Sequence, residues 1–546
     1  MHADENGQIL AAYPLSAIER TNRLLADYLS GAFPVGEFFA HAPDDIIALA
    51  REVRAPSDRA AVAAVLGDFQ RELGAAQPAV DAAAALADPT TPVITVGQQP
   101  GLLTGACYTI YKTLTAIALA RRVSAELGRP VVPVFWAATD DDDRGEVDHC
   151  AWWDQHEAWQ AIHYPDDAGL PGQLVGDLPA GEAGRQVLAT ALPLLAGLPH
   201  AEEVETLLRE TLADSADLGY WFCRVMARLF SPLGLVVCDP RLPSLRRLST
   251  EVLARELAAP LQTTVLVNAQ AKALQQRGYR PALLKPPDSG NFFLTDTRRH
   301  RVTFDGERFH ADERDYAPAA LRAVLTHPDS TPRLLPNAVL RPVVQEYLFG
   351  SAACVVGPNE LGYWAELRPV FQALGVAMPA VIPRAAVTLV PPAAARTLRE
   401  WQLDPLDLLI DPDGVRFGLL ERALPSALNA QFADGRAHLA RMTAALTETL
   451  AQLDATLPAS ALAMQQRMEN EFERLERKTL KAVERRSGEL TGRLSRVQSV
   501  LFPQHAPQER ALNIFPLLAR HGLPLLERLL VLLEKKEGQH LFVELC

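Results

Sequence analysis

The spacing of apolar residues changes along the chain, and each change predicts a different architecture. Residues 1–90 are Ala-rich, with apolar positions at helical spacing. LSAIERTNRLLADYL has Ser16 as its expected N-cap, and AAVAAVLGDFQRELGAA is a run of good helix formers. From Pro92 the runs shorten. TPVITV is a brief apolar stretch, and the turn VGQQPGLLTG follows it. YTIYKTLTAIALARRV is then periodic as a helix to about Leu127, and residues 131–138 are apolar again. This reads as strand, loop, helix, strand. Strands without polar alternation are buried on both faces, which predicts a parallel sheet. GLVVCDPR (234–241) adds a strand. Residues 341–367 mix helix and strand around a Gly-Pro-Asn-Glu turn at 357–360, and AMPAVIPRAAVTLV closes the region.

Two insertions interrupt this unit. Residues 154–178 are turn-rich, and residues 281–310 alternate like strands around the Asp-Gly turn of FDGERF. Both are expected to be small β-rich elements. Beyond about residue 425 the period becomes helical again. Leu439, Met442, Leu446, Leu450, Leu453 and Leu457 follow at steps of three or four in a stretch without Gly or Pro. Pro458 is expected to stop that helix and Ser460 to cap the next. Met468, Phe472, Leu475, Thr479 and Ala482, then Leu490, Leu494, Val497 and Leu501, continue the seam. A helix over 461–502 spans roughly 60 Å at 1.5 Å per residue, so an antiparallel coiled-coil arm that dimerises is the expectation. The predicted organisation is an N-terminal helical segment (1–90) packed on the core, an α/β core (91–390), a helical region (391–502) with its hairpin near 436–502, and a C-terminal segment (503–546) returning to the core.

Composition narrows the function. The chain has 546 residues, 48% hydrophobic and 22% charged, as expected of a globular protein with a substantial core. Its formal net charge of −13 disfavours nucleic acid and anionic membrane surfaces as partners. No run of 18 apolar residues suggests a membrane span, and the opening MHADENGQIL lacks a basic and then apolar leader. The six scattered cysteines (107, 150, 223, 238, 354, 546) show no pairing pattern. A reducing cytoplasm is therefore the expected location.

In open α/β sheets, ligands bind beyond the carboxyl ends of the strands. The Gln98–Gln99 loop, the acidic run Asp140–Asp143 and the 357–363 loop are expected to share that edge. A Gly-rich turn before a helix offers backbone N–H groups, and amide side chains hold polar ligands without fixing a charge. Lys112, about two turns into the helix, is either a ligand for phosphate or carboxylate or a solvated lysine. Neither a P-loop nor G-x-G-x-x-G is present, and G-x-S-x-G is absent. Four adjacent aspartates repel one another unless a cation, an amine or solvent offsets them. With His149 they are candidates for a divalent ion or a general base, or they form a plain acidic turn. His149, Cys150 and Cys107 lack zinc-site spacing, so no structural metal is expected.

TVGQQPGLLTGACYTIYKTLTAIALA, VVPVFWAATDDDDRGEVDH, RPVVQEYLFGSAACVVGPNELGYWAEL and MPAVIPRAAVTLV, in that order, together with the near-terminal QERALNIFPLLARHG, resemble the bacillithiol-biosynthesis cysteine-adding enzymes, the BshC cysteine ligases. The resemblance implies a Rossmann-like nucleotidylyltransferase core with inserted connecting segments and a coiled-coil domain that forms a homodimer. It also implies that cysteine is joined by an amide to glucosaminyl-malate, with ATP activating the carboxylate as cysteinyl-adenylate and Mg2+ as its companion. The Gln-Gln loop then stands where class I aminoacyl-tRNA synthetases carry their HIGH motif. Thr104-Gly105 keeps the glycine and lacks both histidines, and no KMSKS-like segment is visible. Many family members read Glu-Asp-His-Asp where this chain has Asp140 to Asp143, so Asp142 replaces the family histidine.

On this resemblance, Gln98, Gln99, Gly101, Thr104, Gly105 and Lys112 are expected to line the ligand pocket. Asp141, Asp143 and His149 are expected to bind the amine or a metal, with one as base. Arg341, Gln345 and Glu346, with Gly357, Glu360 and Tyr363, are expected to form the other wall, and Arg384 to meet the malate carboxylates. The competing class is a non-catalytic dimer that binds a nucleotide or metabolite.

Overall fold

In the computed structural model, residues 9–545 are described apart from 21, 53–54, 328–330, 425, 487 and 536–537, so Cys546 lies outside the described residues. The two apolar runs of the core become adjacent strands, β1 (Val93–Gln98) and β2 (Val132–Ala137). Ile94, Thr95, Val96 and the whole of β2 are buried, as strands covered on both faces must be. Strands β3 (Val236–Cys238), β4 (Ala353–Val356) and β5 (Ala380–Pro383) complete a five-stranded sheet of order β5-β4-β1-β2-β3. Every pairing in it is parallel. From β1 the chain builds outward through β2 to β3, then crosses to β4 on the other side. The order therefore reverses between β1 and β4, which opens a crevice at their carboxyl ends.

Helix α1 (Tyr108–Leu127) leaves that crevice and returns the chain to β2, ending at Gly128 in the left-handed conformation. Ile110, Leu114, Ile117 and Leu119 are buried, each contributing about 1.5–3 kcal/mol. Helix α2 (Pro243–Ala258) follows β3, α3 (Arg341–Phe349) precedes β4, and the short α4 (Glu360–Trp364) follows it. The two insertions are unequal. His149–Trp153 pairs with Trp159–His163 and makes one parallel bridge from Ala151 to Leu512, and the remainder of 164–178 is turn and 3-10 helix. Residues 289–336 supply a five-stranded antiparallel sheet, in which the Asp305-Gly306 turn joins Arg299–Phe304 to Phe309–Ala311.

Of the described residues, those in 12–387 and 509–541 form one compact unit, and those in 9–11, 388–508 and 542–545 form another. From residue 12 the N-terminal helical segment belongs to the same compact unit as the α/β core. Ser16 does not cap its helix. The break after Ile18 shifts that role to Asn22, whose side chain accepts from the Leu25 N–H at 3.1 Å. In the second unit the hairpin consists of α5 (Ser426–Ala451) and α6 (Leu457–Arg486), followed by α7 (Gly488–Leu501). The turn falls at 452–456, and Pro458 lies in the first turn of α6 instead of ending α5. A proline there costs no hydrogen bond, because the first N–H groups of a helix have no partner within it. Leu439 is buried and Phe472 packs over Gly435. Met442, Leu446, Leu453, Met468 and Leu475 of the expected seam remain exposed.

Candidate active site

The crevice is organised by a buried lysine. Lys112 on α1 is 2% exposed; its ammonium donates to the Gly97 carbonyl at 2.7 Å and to Gln98 Oε1 at 3.4 Å. It also forms an ion pair with Glu360, in the first turn of α4. Burial opposes the Glu360 charge, but Lys112, the Gly357 N–H and Arg341 outweigh it and hold the carboxyl below its ordinary range. The solvated reading of Lys112 is therefore excluded. Arg341, at the start of α3, donates to the Tyr363 hydroxyl at 3.0 Å and lies beside Gly97.

Across β1 a second cluster begins. Gln99 Nε2 donates to Asp141 Oδ2 at 2.8 Å. Arg299, from the inserted antiparallel sheet, bridges Asp141 at 2.5 Å and Asp142 at 2.6 Å, with its guanidinium 3.8 Å from the centre of the Phe293 ring. Burial raises the Asp141 carboxyl, yet Arg299 and Gln99 prevail and its net shift is downward. Such a carboxylate is a poor base and a firm anchor. Asp140, one residue earlier, is 6% exposed, and burial pushes its carboxyl up to about 6.

The Gln-Gln loop is strained. Leu103, Thr104 and Gly105 have φ of 50°, 75° and 68°, a left-handed conformation that suits only the glycine. Gly101 is required by close approach, because a Cβ there would lie 2.8 Å from the Gly105 Cα. Asn513 holds this turn. Fully buried, its amide donates to the carbonyls of Leu103 at 2.6 Å and Gly105 at 2.8 Å, while its Oδ1 accepts from the Phe515 N–H. The neighbouring Leu512 carbonyl accepts from the Cys107 N–H at 2.7 Å. The Thr104 hydroxyl is buried without a hydrogen-bond partner.

Several expected site residues lie elsewhere. Gln345 and Glu346 face the core beneath β1: Gln345 donates to Thr95 Oγ1 at 3.0 Å, and Glu346 accepts from the Ser351 N–H at 2.8 Å. They form a buried polar network, not a pocket wall. Arg384 is buried in a bidentate pair with Glu509, at 2.9 and 2.7 Å, which satisfies its charge internally and leaves none for a malate carboxylate. Asp143 is exposed, and exposed His149 pairs with Asp148 at 3.0 Å, so neither hydrogen-bonds to the Gln98–Gln99 cluster. Among the described residues no group of three or more His, Cys, Asp or Glu could hold a metal ion. The five described cysteines are free and buried, and burial pushes the Cys107 and Cys150 thiols up, away from reactivity. No described helix is long and apolar enough to cross a membrane.

Arg299 and Asn513 were not among the residues expected at the site. Arg299 sits in the alternating 281–310 insertion, where nothing in the pattern singles it out, and Asn513 lies far from the loop in sequence. Its segment, ALNIFP, was legible only as part of a resemblance.

Comparison with known proteins supplies the family. Residues 13–385 match the family described as "Bacillithiol biosynthesis BshC, N-terminal Rossmann-like domain", and residues 387–545 match "Bacillithiol biosynthesis BshC, C-terminal coiled-coil domain". Similar curated relatives carry the name "Putative cysteine ligase BshC". That of Geobacillus thermodenitrificans is 31% identical over 96% of this chain and 98% of its own length. That of Symbiobacterium thermophilum is 33% identical over 88% and 89%. That of Prosthecochloris aestuarii is 31% identical over 87% of each.

Proposed function

Since the chain belongs to the BshC family of bacillithiol biosynthesis, we propose that it is a cysteine ligase that joins cysteine through an amide bond to the amine of glucosaminyl-malate. The observation that carries this reading is the polar row at the β1/β4 switch point: Lys112–Glu360 and Arg341–Tyr363 on one side, Gln99–Asp141–Arg299 on the other. It combines cations, hydrogen-bond donors and fixed carboxylates where open α/β sheets bind ligands.

A carboxylate does not acylate an amine in water, so one of its oxygens must leave with an activating group. We propose ATP, accompanied by Mg2+, as the activator; when bound, it would supply the adenylyl group that carries that oxygen away in AMP, with pyrophosphate released. The fit rests on Arg341, whose guanidinium donates to the neutral Tyr363 phenol, and on the buried Thr104 hydroxyl within the Gly101–Gly105 turn. Those two groups would meet its phosphates. The chain's own residues position and stabilise: Gln98 and Gln99 orient the polar ends of the substrates, while Lys112 and Arg299 balance the carboxylates of the row. The exposed stripe of Met442, Leu446, Leu453, Met468 and Leu475 supports a homodimer formed through the hairpin.

The test is incubation of purified protein with cysteine and glucosaminyl-malate, with and without ATP and Mg2+, followed by mass spectrometry of the amide. Product confined to the ATP arm is the expected result. Product without ATP overturns the activation route, and no product in either arm overturns the ligase reading.

A further inference from the structure

Beside the polar row, on the side of α2 and α3, lies a cleft enclosing about 580 Å³ of unfilled space, its open mouth included. Much of its wall is apolar, with Trp136 of β2, Leu245 and Leu253 of α2, Val344 and Leu348 of α3, and Leu334 from the antiparallel sheet, while Ser249 and Thr250 of α2 add hydroxyls. The acid lining it is Asp140, which is 6% exposed.

Asp140 differs from the two aspartates that follow it. Asp141 accepts from Gln99 and Arg299, and Asp142 accepts from Arg299. Asp140 feels Arg299 and Arg341 through space, with no hydrogen bond from either, and burial dominates its electrostatics. A carboxyl held in an apolar cleft without a side-chain donor is costly unless a ligand supplies one. An ammonium is the complementary donor. The apolar part of the wall admits a compact apolar group.

We propose that this cleft is the amino-acid subsite, in which Asp140 takes the α-ammonium of the substrate and the walls of α2 and α3 take a small apolar side chain such as CH2SH. The identification of that amino acid as cysteine rests on the ligase reading, whereas the preference for an ammonium does not. This binding mode leaves the carboxylate on the side of Arg299 and Arg341, the cations that act on Asp140. It also assigns a role to the buried aspartate of the run that accepts from no side chain among the described residues. Arg246 also lines the cleft. A ligand recruited by its anion instead of its amine would point to that guanidinium.

The two modes are separated by calorimetry on the full chain with three probes: L-cysteine, cysteamine (which lacks the carboxylate) and 3-mercaptopropionate (which lacks the amine). Binding of cysteine, retention of cysteamine within about tenfold, and no detectable 3-mercaptopropionate are expected. Asp140→Asn should weaken cysteine at least tenfold. Leu245→Trp, which fills the cleft without touching the polar row, should abolish binding, with circular dichroism confirming that both variants fold. The proposal is overturned if 3-mercaptopropionate binds as well as cysteamine, if cysteine does not bind, or if Leu245→Trp leaves binding unchanged. Cysteine bound in this pattern without amide formation would sustain the subsite and overturn the ligase reading. Amide formation with a KM for cysteine that neither variant alters would do the reverse.

Discussion

Replacing Asn513 by alanine removes the clamp on the Gln-Gln loop. Two hydrogen bonds onto the Leu103 and Gly105 carbonyls disappear, and the Phe515 N–H loses its acceptor. At about 0.5–1.5 kcal/mol net for each bond, the loss is about 3 kcal/mol. The left-handed Leu103 and Thr104 store a further ~1–2 kcal/mol each that the loop can release by rearranging. The perturbation is local, so amide hydrogen exchange measures it better than global unfolding of a chain with two compact units. The reporters are the Cys107 N–H, bonded to Leu512, and the Gly105 N–H, bonded to Leu102. Asn513→Ala should lower their protection about a hundredfold, and α1 beyond Lys112 should be unaffected. Asn513→Asp should be worse, because a carboxylate would face two carbonyl oxygens with no proton to donate. Unchanged exchange at both reporters in Asn513→Ala would refute the clamp.

Other consequences are equally direct. Lys112→Met leaves Glu360 without its cation and should cost about 3–5 kcal/mol, while Lys112→Met/Glu360→Gln should cost less than the single change, as read by denaturant titration. Glu256 on α2 accepts from the Thr263 hydroxyl at 2.9 and 2.8 Å, and burial pushes its carboxyl from 4.5 up to about 7. Between those two values the folded chain retains a proton that the unfolded chain has released, so stability from this group falls as pH rises through that window. At about 1.4 kcal/mol per pH unit the loss is capped at about 3 kcal/mol, and Glu256→Gln should flatten the thermal-stability profile between pH 5 and 8. Leu446→Lys/Leu475→Lys places charge on the exposed hairpin stripe and should convert a dimer to a monomer in sedimentation, with no change in the α/β unit's circular dichroism.

Much of the core was legible because its pattern has few alternatives. Short apolar runs bounded by turns, separated by one long helix, give parallel strands, and the Gln-Gln loop and acidic run then meet at one edge. The Gln99–Asp141 hydrogen bond realises that expectation. What escaped is what depends on distant partners. Arg384 reads as an available cation until Glu509, 125 residues later, neutralises it. Gln345 and Glu346 look like site residues by type, yet α3 turns them towards Thr95 and Ser351. Arg299 lies on an alternating strand, and only its stacking on Phe293 and its two aspartates bury it. Pro458 carries opposite meanings before and after a turn, and the sequence pattern places that turn a few residues late.

The most direct test of the account follows the cysteine carboxylate itself. Cysteine labelled with 18O in both carboxylate oxygens is incubated with the protein, glucosaminyl-malate, ATP and Mg2+, and the amide and the nucleotide products are weighed by mass spectrometry. The account predicts one 18O in the amide and the other in AMP. An amide formed with no 18O in AMP, whether the second label goes to phosphate or to neither product, or the absence of any amide, would contradict it.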